Sequence, residues 1–500
     1  MPLVAGLDLG TSSAKLVVVD LDGTLVAEAS QPYPTHTAPG GIVEQDPDQW
    51  WSAACAVLGR CGVAGDVVAL GLTGQMQDLI PVADGRALRP AMLYSDTRAV
   101  AQHRRLAAAV VRWEARTGNH QDVSAVAAKI AWLAEHHPEV LRDAEHLLLG
   151  PAGYVAWRAG AAAACDVTTA STTGLLDVTT RSWLSDAATE AGAWFEQLPR
   201  LVGSVPGDSL VGEVSAGAAA QMGVRAGTPL VLAMGDAGST TDGLVGSEPG
   251  DAYLYLGTTG WLAGITPATR AEPSAIHSLV MPGWDKRLRI GAVQSAGSAA
   301  AWALGTLLPG RSFAEAEIIA APRLRLVRDR PLGLPGLAGE RTPVRDGDLR
   351  GAFIGVEEST TAADLYLAVL TGVAMGLRHA ADAMGIRQGR IPLVGGASGS
   401  HIWRQLLADV FEATIVTGHA EAPGAHSAAR AAADSVGLRH GMQPVFDHGD
   451  HTETTPSDVH GDYQGLLAIH RGLYDALTPA FAQLAHARSG RDHTARKGTP

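Results

Sequence analysis

Apolar and polar positions alternate in short runs through the first thirty residues. LVAGLDL, AKLVVVD and TLVAEAS each predict a strand, separated by turns at Gly10-Thr11 and Leu21-Asp22-Gly23. The period then lengthens. EQDPDQWW opens a helix, with Asp46 as N-cap and Pro47 at the first helical position, and the helical pattern runs to about Gly62. VVALGLTG returns to strand. LRPAMLYSDTR predicts a further strand ending in a polar turn. From there to about Glu145 the pattern is helical, interrupted at Thr117-Gly118-Asn119.

The second half repeats the order. After TPLVLAMGDAGSTTDG, the Pro249-Gly250 pair marks a domain boundary. DAYLYLGTTGWLAGI then gives strand, turn, strand. RIPLVGG predicts a strand running into the glycine-rich GGASGS, and HIWRQLLADVF a helix. The class is α/β, with one distant duplication rather than a repeat array. The pattern divides the chain into domains at 1–245 and 246–485, with a disordered tail at 486–500. VFDHGDHTETTPSDVHGDY reads as a solvated loop. Its His448 and His451 spacing suits a metal, but no further ligand stands at a fixed distance.

Composition narrows the function. At 500 residues the chain has room for two or three domains, and a net charge of −13 argues against a nucleic-acid partner. Cys55, Cys61 and Cys165 fit neither a disulfide framework nor a zinc site, so reduced thiols and a cytoplasmic location are expected. The opening MPLVAGLDLG has no signal-peptide pattern. The apolar stretch from Ser295, SAGSAAAWALGTLL, is too short to span a membrane and reads as a buried helix.

Two turns carry candidate chemistry. In Gly10-Thr11-Ser12-Ser13-Ala14-Lys15, backbone N–H groups, hydroxyls and a lysine can hold phosphate oxygens, although a plain hairpin turn also fits. Walker A spacing is absent. The echo at Gly257-Thr258-Thr259 changes the weighing, because two such turns on facing domains would clasp a nucleotide's phosphates from both sides. Asp8 precedes the first turn, where the second has Tyr255.

In collinear order, Gly6-Leu7-Asp8-Leu9-Gly10-Thr11, Gly74-Gln75-Met76, Ser95-Asp96-Thr97-Arg98, CDVTTASTTGLLD, GLAGERTPVRDGDLRGAFIGV and Gly395-Gly396-Ala397-Ser398 resemble the FGGY carbohydrate kinases, over residue 3 to about 440. The resemblance implies two ribonuclease-H-like (actin/hexokinase-type) domains, each on a five-stranded sheet, with ATP and a sugar in the cleft between them. It implies that Asp236 is the general base, although Asp236 also suits a helix cap, a role for which Asp242 is the better candidate. It implies that Asp8 holds Mg²⁺, and that Thr11, Ser12, Ser13, Lys15, Gly257, Thr258 and Thr259 contact phosphates. Gly395, Gly396, Ala397 and Ser398 would carry adenine, with helix capping open for Ser398. Gln75, Met76, Gln77 and Asp236 would face the sugar.

The chain is most similar to the xylulokinase-like branch but departs from it. Gln77-Asp78 stands where His usually follows Gln-Met, and Ala237 where Asn usually follows the aspartate. A ketopentose such as D-xylulose is the leading expectation, with another ketose or an alditol beside it. From a different class, a nucleotide-dependent sugar-sensing protein also shares the two turns. The resemblance allows a homodimer.

Overall fold

The computed structural model describes residues 2–205, 207–268, 274–342, 344–447 and 450–495, with side chains as far as 488. Strands β1 (Leu3–Leu9), β2 (Ser13–Asp20), β3 (Leu25–Pro32), β4 (Val67–Gly74), β5 (Leu210–Glu213) and β6 (Pro229–Leu232) form one sheet in the order β5-β6-β4-β1-β2-β3. Strands β7 (Ala252–Leu256), β8 (Gly260–Pro267), β9 (His277–Val280), β10 (Lys286–Val293), β11 (Arg390–Val394), β12 (Thr414–Thr417) and β13 (Thr452–Thr454) form a second, ordered β9-β10-β8-β7-β11-β12-β13. Each contains the expected five-stranded unit, an antiparallel hairpin continued by parallel strands. Edge strands β5, β9 and β13 widen it.

The main helices are α1 (Pro47–Arg60), α2 (Asp236–Val245), α3 (Gly297–Leu307), α4 (Ala362–Met384), α5 (His401–Phe411), α6 (Pro423–Ser435) and α7 (His460–Ala495). The α1 start is as the sequence predicts: the Asp46 carboxylate accepts the Asp48 N–H, with Pro47 in the first turn. Among the described residues no helix is long and apolar enough to cross a membrane.

Chain order and space disagree at α6. This helix follows strand β12 of the second sheet, yet it packs on β1, β4 and α2 of the first. Its inner face is small: Ala425, Ala428, Ala429, Ala432 and Ala433 are fully buried. The strands facing it carry glycine. A Cβ on Gly6 would stand 1.8 Å from the Ala425 carbonyl oxygen, and one on Gly71 would stand 1.9 Å from that of Ala428. Helix and sheet therefore meet backbone to backbone.

Four local expectations need correction. The stretch 88–98 forms only the two-residue strand Ala91–Met92, because Asp78 and Asp96 draw its backbone into turns. The stretch from Ser295 is helical only from Gly297, and it leaves Trp302 40% exposed. The segment read as a loop at 447–463 contains Thr452–Thr454, which zips onto the free edge of β12, and it opens α7 at His460. His448 lies outside the described residues. The expected tail from 486 is the continuation of α7 as far as Ala495, held on the lobe by buried Tyr463, Tyr474 and Phe481 earlier in the helix. Residues 496–500 lie outside the described residues.

Candidate active site

Three parallel neighbours, β1, β4 and β6, end side by side: Leu9 pairs with Gly74, and Leu72 with Leu232. The segments that leave their carboxyl ends are 10–13, 74–78 and 233–236, so the sheet itself collects the first phosphate turn, the Gln-Met turn and Asp236. In the second lobe β7 runs parallel to β11, with Tyr255 beside Val394. The turns at 257–259 and 395–399 therefore leave from adjacent strands. Met76, Met234 and Ala237 of the first lobe pack in one apolar cluster with Tyr253, Tyr255 and Trp261 of the second, which sets the Asp236 turn on the seam between the sheets.

Asp8 is half-buried, and its Oδ1 is shielded from solvent with no hydrogen-bond partner. Burial pushes its carboxyl up to about 6, partly offset by Lys15 directly across the hairpin. Gly424, in the first turn of α6, lies against the same carboxylate: a Cβ there would approach Asp8 Oδ2 to 2.8 Å. Asp236 is the first residue of α2. Burial and then the Asp8 charge push it up to about 7, and its Oδ1 accepts the Ala237 N–H at 2.7 Å. Two mutually repelling carboxylates, one with an unsatisfied oxygen, fit a hydrated divalent cation, which needs few protein ligands. Among the described residues no group of three acidic, histidine or cysteine side chains forms a fuller metal cage. Asp242 caps nothing. It accepts Ser427 Oγ at 2.5 Å and pairs with Arg430, which ties α2 to α6.

The phosphate turn is braced from behind. The Tyr33 hydroxyl donates to the Gly10 carbonyl, and the Gln45 amide donates to the Thr11 carbonyl at 2.7 Å. Gln75 is buried and donates to Gln45 at 3.0 Å, so its amide nitrogen supports the turn rather than facing outward. Thr11 Oγ1 lies 3.5 Å from the Tyr94 hydroxyl, and Ser12 and Lys15 are exposed. Opposite, the Thr258 carbonyl accepts the Ser298 N–H at 3.0 Å and the Gly257 carbonyl the Gly297 N–H at 2.9 Å, stapling the second turn to α3. Thr258 is left exposed and Thr259 half-buried. Tyr255, at the position of Asp8, stacks on Trp261 with ring centroids 3.8 Å apart and lies against Gly257.

Gly395 has φ +97°, and a Cβ there would meet the Leu256 carbonyl oxygen at 2.4 Å, whereas Gly396 faces open space. Ala397 and Ser398 continue this short 3-10 turn. Ser398 is not the helix cap; Ser400 is, accepting the Trp403 N–H. Gln405 donates to Asp409 and to the Thr455 carbonyl.

On the sugar side Met76 touches Gly235, where a Cβ would meet its sulfur at 2.3 Å. Gln77 has φ +66°, and its amide donates to Ser124. Asp78 is fully buried; its Oδ1 accepts the Tyr94 N–H at 2.9 Å and its Oδ2 is unpartnered. Burial and the Asp236 charge raise its carboxyl. Lys129, also fully buried and lowered by burial, donates to the Gln77 carbonyl at 2.7 Å and counters part of that charge. The Gln77-Asp78 departure is visible in the sequence, but its cation is not, because Lys129 stands 52 positions from Gln77.

Asp166 also escaped assignment. Its Oδ1 accepts the Thr169 N–H at 2.9 Å and the Gly235 N–H at 3.0 Å, holding the turn that presents Asp236. Asp166→Ala should lower kcat by about 10–100-fold with KM little changed, and cost about 1–2 kcal/mol of stability. Steady-state kinetics and urea unfolding check both.

Two lobes that meet at a seam beside Asp236, each with a Gly-Thr turn after its first strand, suit a sugar-kinase type of phosphotransferase. Family models agree: the N-terminal domain of the FGGY family of carbohydrate kinases matches residues 3–243, and the C-terminal domain matches 252–435. The chain belongs to this family, whose members are ATP-dependent carbohydrate kinases. It is 33% identical to the xylulose kinase of Escherichia coli (strain K12) over 81% of this chain and 84% of that one. It is 26% identical to the gluconokinase of Bacillus subtilis (strain 168) over 97% and 98%. The structure of the xylulose kinase from Rhodospirillum rubrum superposes with TM-score 0.82 at 26% identity, covering 96% of this chain and 100% of that one.

Proposed function

We propose that this kinase transfers the terminal phosphoryl group of ATP to a hydroxyl of a neutral ketopentose, D-xylulose first, in the cleft between the lobes. The observation that carries the reading is the pair of half-buried, desolvated carboxylates, Asp8 and Asp236, at the shared ends of β1, β4 and β6. Asp236 accepts the proton of the sugar hydroxyl as its oxygen attacks phosphorus and ADP departs. Asp8 would hold Mg²⁺, which neutralises charge on the phosphates. Thr11, Ser12, Ser13 and Lys15 grip the phosphates from one lobe and Gly257, Thr258 and Thr259 from the other. Gly395, Gly396, Ala397 and Ser398 give adenine a side-chain-poor wall. Met76 and Gln77 shape the sugar floor, and Gln75 supports them. Approach of the lobes excludes water and aligns the hydroxyl for in-line attack. All of these residues come from one chain, which reads as a cytoplasmic enzyme.

Substrate charge separates the two activities among the relatives. Asp236 lies within electrostatic reach of both Asp8 and Asp78, with Lys15 acting on Asp8 and Lys129 on Asp78. An aldonate would bring its own carboxylate into this field, whereas a neutral ketose offers hydroxyl donors to it. In an ADP-release screen across ketopentoses, hexoses, alditols and aldonates, D-xylulose should exceed D-gluconate in kcat/KM by about 100-fold, roughly 2.7 kcal/mol. Preference for gluconate would overturn the substrate assignment. Turnover unaffected by any sugar would favour the sensing protein.

A further inference from the structure

A cavity of about 520 Å³ opens at the seam between the lobes and shares no residue with the active site. Arg112, Arg116, Arg181, Arg287 and Trp284 line it. Trp284 is 2% exposed, and its indole N–H has no hydrogen-bond partner. Arg181 lies over the indole, its guanidinium carbon 5.6 Å from the ring centroid, and Arg287 donates to the Trp284 carbonyl at 3.2 Å. Among the described residues the ion pairs at this cavity belong to Arg116, which holds Asp177 at 3.2 Å and Asp186 at 2.6 Å. Asp177 is spent further on the N–H groups of Thr179 and Thr180. Among the described residues Arg112, Arg181 and Arg287 form no ion pair, and the nearest charge acting on Arg287 besides Arg181 is Asp285.

The backbone is strained at the same place. Seven non-glycine residues have positive φ among those described, and three of them line this cavity: Arg112 (53°), Arg181 (60°) and Trp284 (69°). Side chains in that region are held against a local cost, and such costs gather at ligand clamps. Arginine and tryptophan side chains only donate hydrogen bonds. The uncommitted groups therefore ask for a ligand rich in acceptors and negative charge, and planar guanidinium groups match phosphate oxygens. The volume suits a small molecule.

We propose that this cavity binds a small phosphomonoester, a sugar phosphate or a molecule of that chemistry, as an effector separate from the catalytic cleft. Its walls come from both halves of the chain: Arg112, Arg116 and Arg181 from the first, Trp284 and Arg287 from strand β10 and the turn before it. Beside it the Asn119 amide brackets Ser278, accepting its N–H and donating to its carbonyl, each at 2.8 Å. A ligand gripped here cross-links the same seam, so it stabilises one arrangement of the lobes and moves KM more than kcat.

The test is calorimetric titration of the protein saturated with MgADP, using D-glucose 6-phosphate, inorganic phosphate and, as uncharged control, D-glucose. The sugar phosphate should bind and glucose should not. Inorganic phosphate should bind more weakly if the cavity also reads the carbon skeleton; equal binding would assign it to free phosphate. Arg181→Gln/Arg287→Gln should weaken binding about tenfold or more while leaving ADP affinity unchanged. If that variant loses ADP affinity as well, Arg112→Gln, an exposed side chain, carries the test with an expected loss of about threefold or more. No binding up to roughly 10 mM, or equal binding by wild type and variants, overturns the proposal.

Discussion

Asp236→Asn should remove nearly all turnover and at the same time stabilise the ligand-free protein at alkaline pH. The two effects have one cause. A base at the seam must be buried beside Asp8 to meet the hydroxyl in a dry cleft, and burial next to another carboxylate raises its pKa to about 7. The unfolded chain titrates near the ordinary aspartate value of 3.8. Between those values the folded state binds the extra proton, so the stability conferred by protonation is complete below about pH 4. It is lost as pH rises through about 7. Asparagine removes the titration and keeps an oxygen for the Ala237 N–H. A shift from 3.8 to about 7 sets the gain at pH 8 on the order of 2–4 kcal/mol, shrinking towards zero near pH 4. Turnover should fall roughly a thousandfold, the middle of the ~10²–10⁴-fold range for a lost general base. Urea unfolding at pH 4, 6 and 8 and a coupled assay at pH 8 read both. A variant that is equally active, or destabilised at pH 8, contradicts the role.

The second large effect concerns the fold beneath the site. Gly71→Ala should destabilise the protein by about 3 kcal/mol and reduce kcat with it. The new methyl would stand 1.9 Å from the Ala428 carbonyl oxygen and 2.5 Å from its carbon. Both atoms belong to helix backbone, so no side chain can swing aside, and α6 must move off β4. The same helix carries Gly424 against Asp8 and Arg430 against Asp242. Displacement therefore reaches the carboxylates directly. A control is Gly59→Ala in the exposed last turn of α1, where a Cβ meets nothing within 4 Å. It should be neutral or slightly stabilising, because alanine favours helix over glycine by up to about 1 kcal/mol. Equal thermal stability of Gly71→Ala and wild type would show that α6 does not bear on the sheet as described.

What was legible in the sequence was local. Leu7 to Lys15 announces a hairpin because apolar runs flank Gly-Thr, and β1 and β2 pair with Asp8 opposite Lys15. Asp46-Pro47 announces α1 for equally local reasons. The arrangement of α6 was not legible, because PGAHSAARAAADS says helix without saying which sheet it covers. The hint lay elsewhere, in Gly6 and Gly71 inside strands where glycine otherwise costs stability. Asp78 illustrates the same limit: its departure from the family pattern is visible, its buried neighbour Lys129 is not. Thr452–Thr454 was misread because an edge strand of threonine and glutamate has the composition of a loop. Asp242 was misread as a cap because its partner, Arg430, comes 188 positions later in the chain.

The central claim is that the cleft moves phosphate from ATP to a sugar hydroxyl with Asp236 as base. Its most direct test is a single-turnover reaction of γ-labelled MgATP with D-xylulose at pH 8, run with wild type and with Asp236→Asn, following label into sugar phosphate and into inorganic phosphate. The account predicts label on the sugar with wild type, little in inorganic phosphate without sugar, and neither with the variant. Label appearing in inorganic phosphate at the same rate with and without sugar, or transfer by the variant at the wild-type rate, would contradict it.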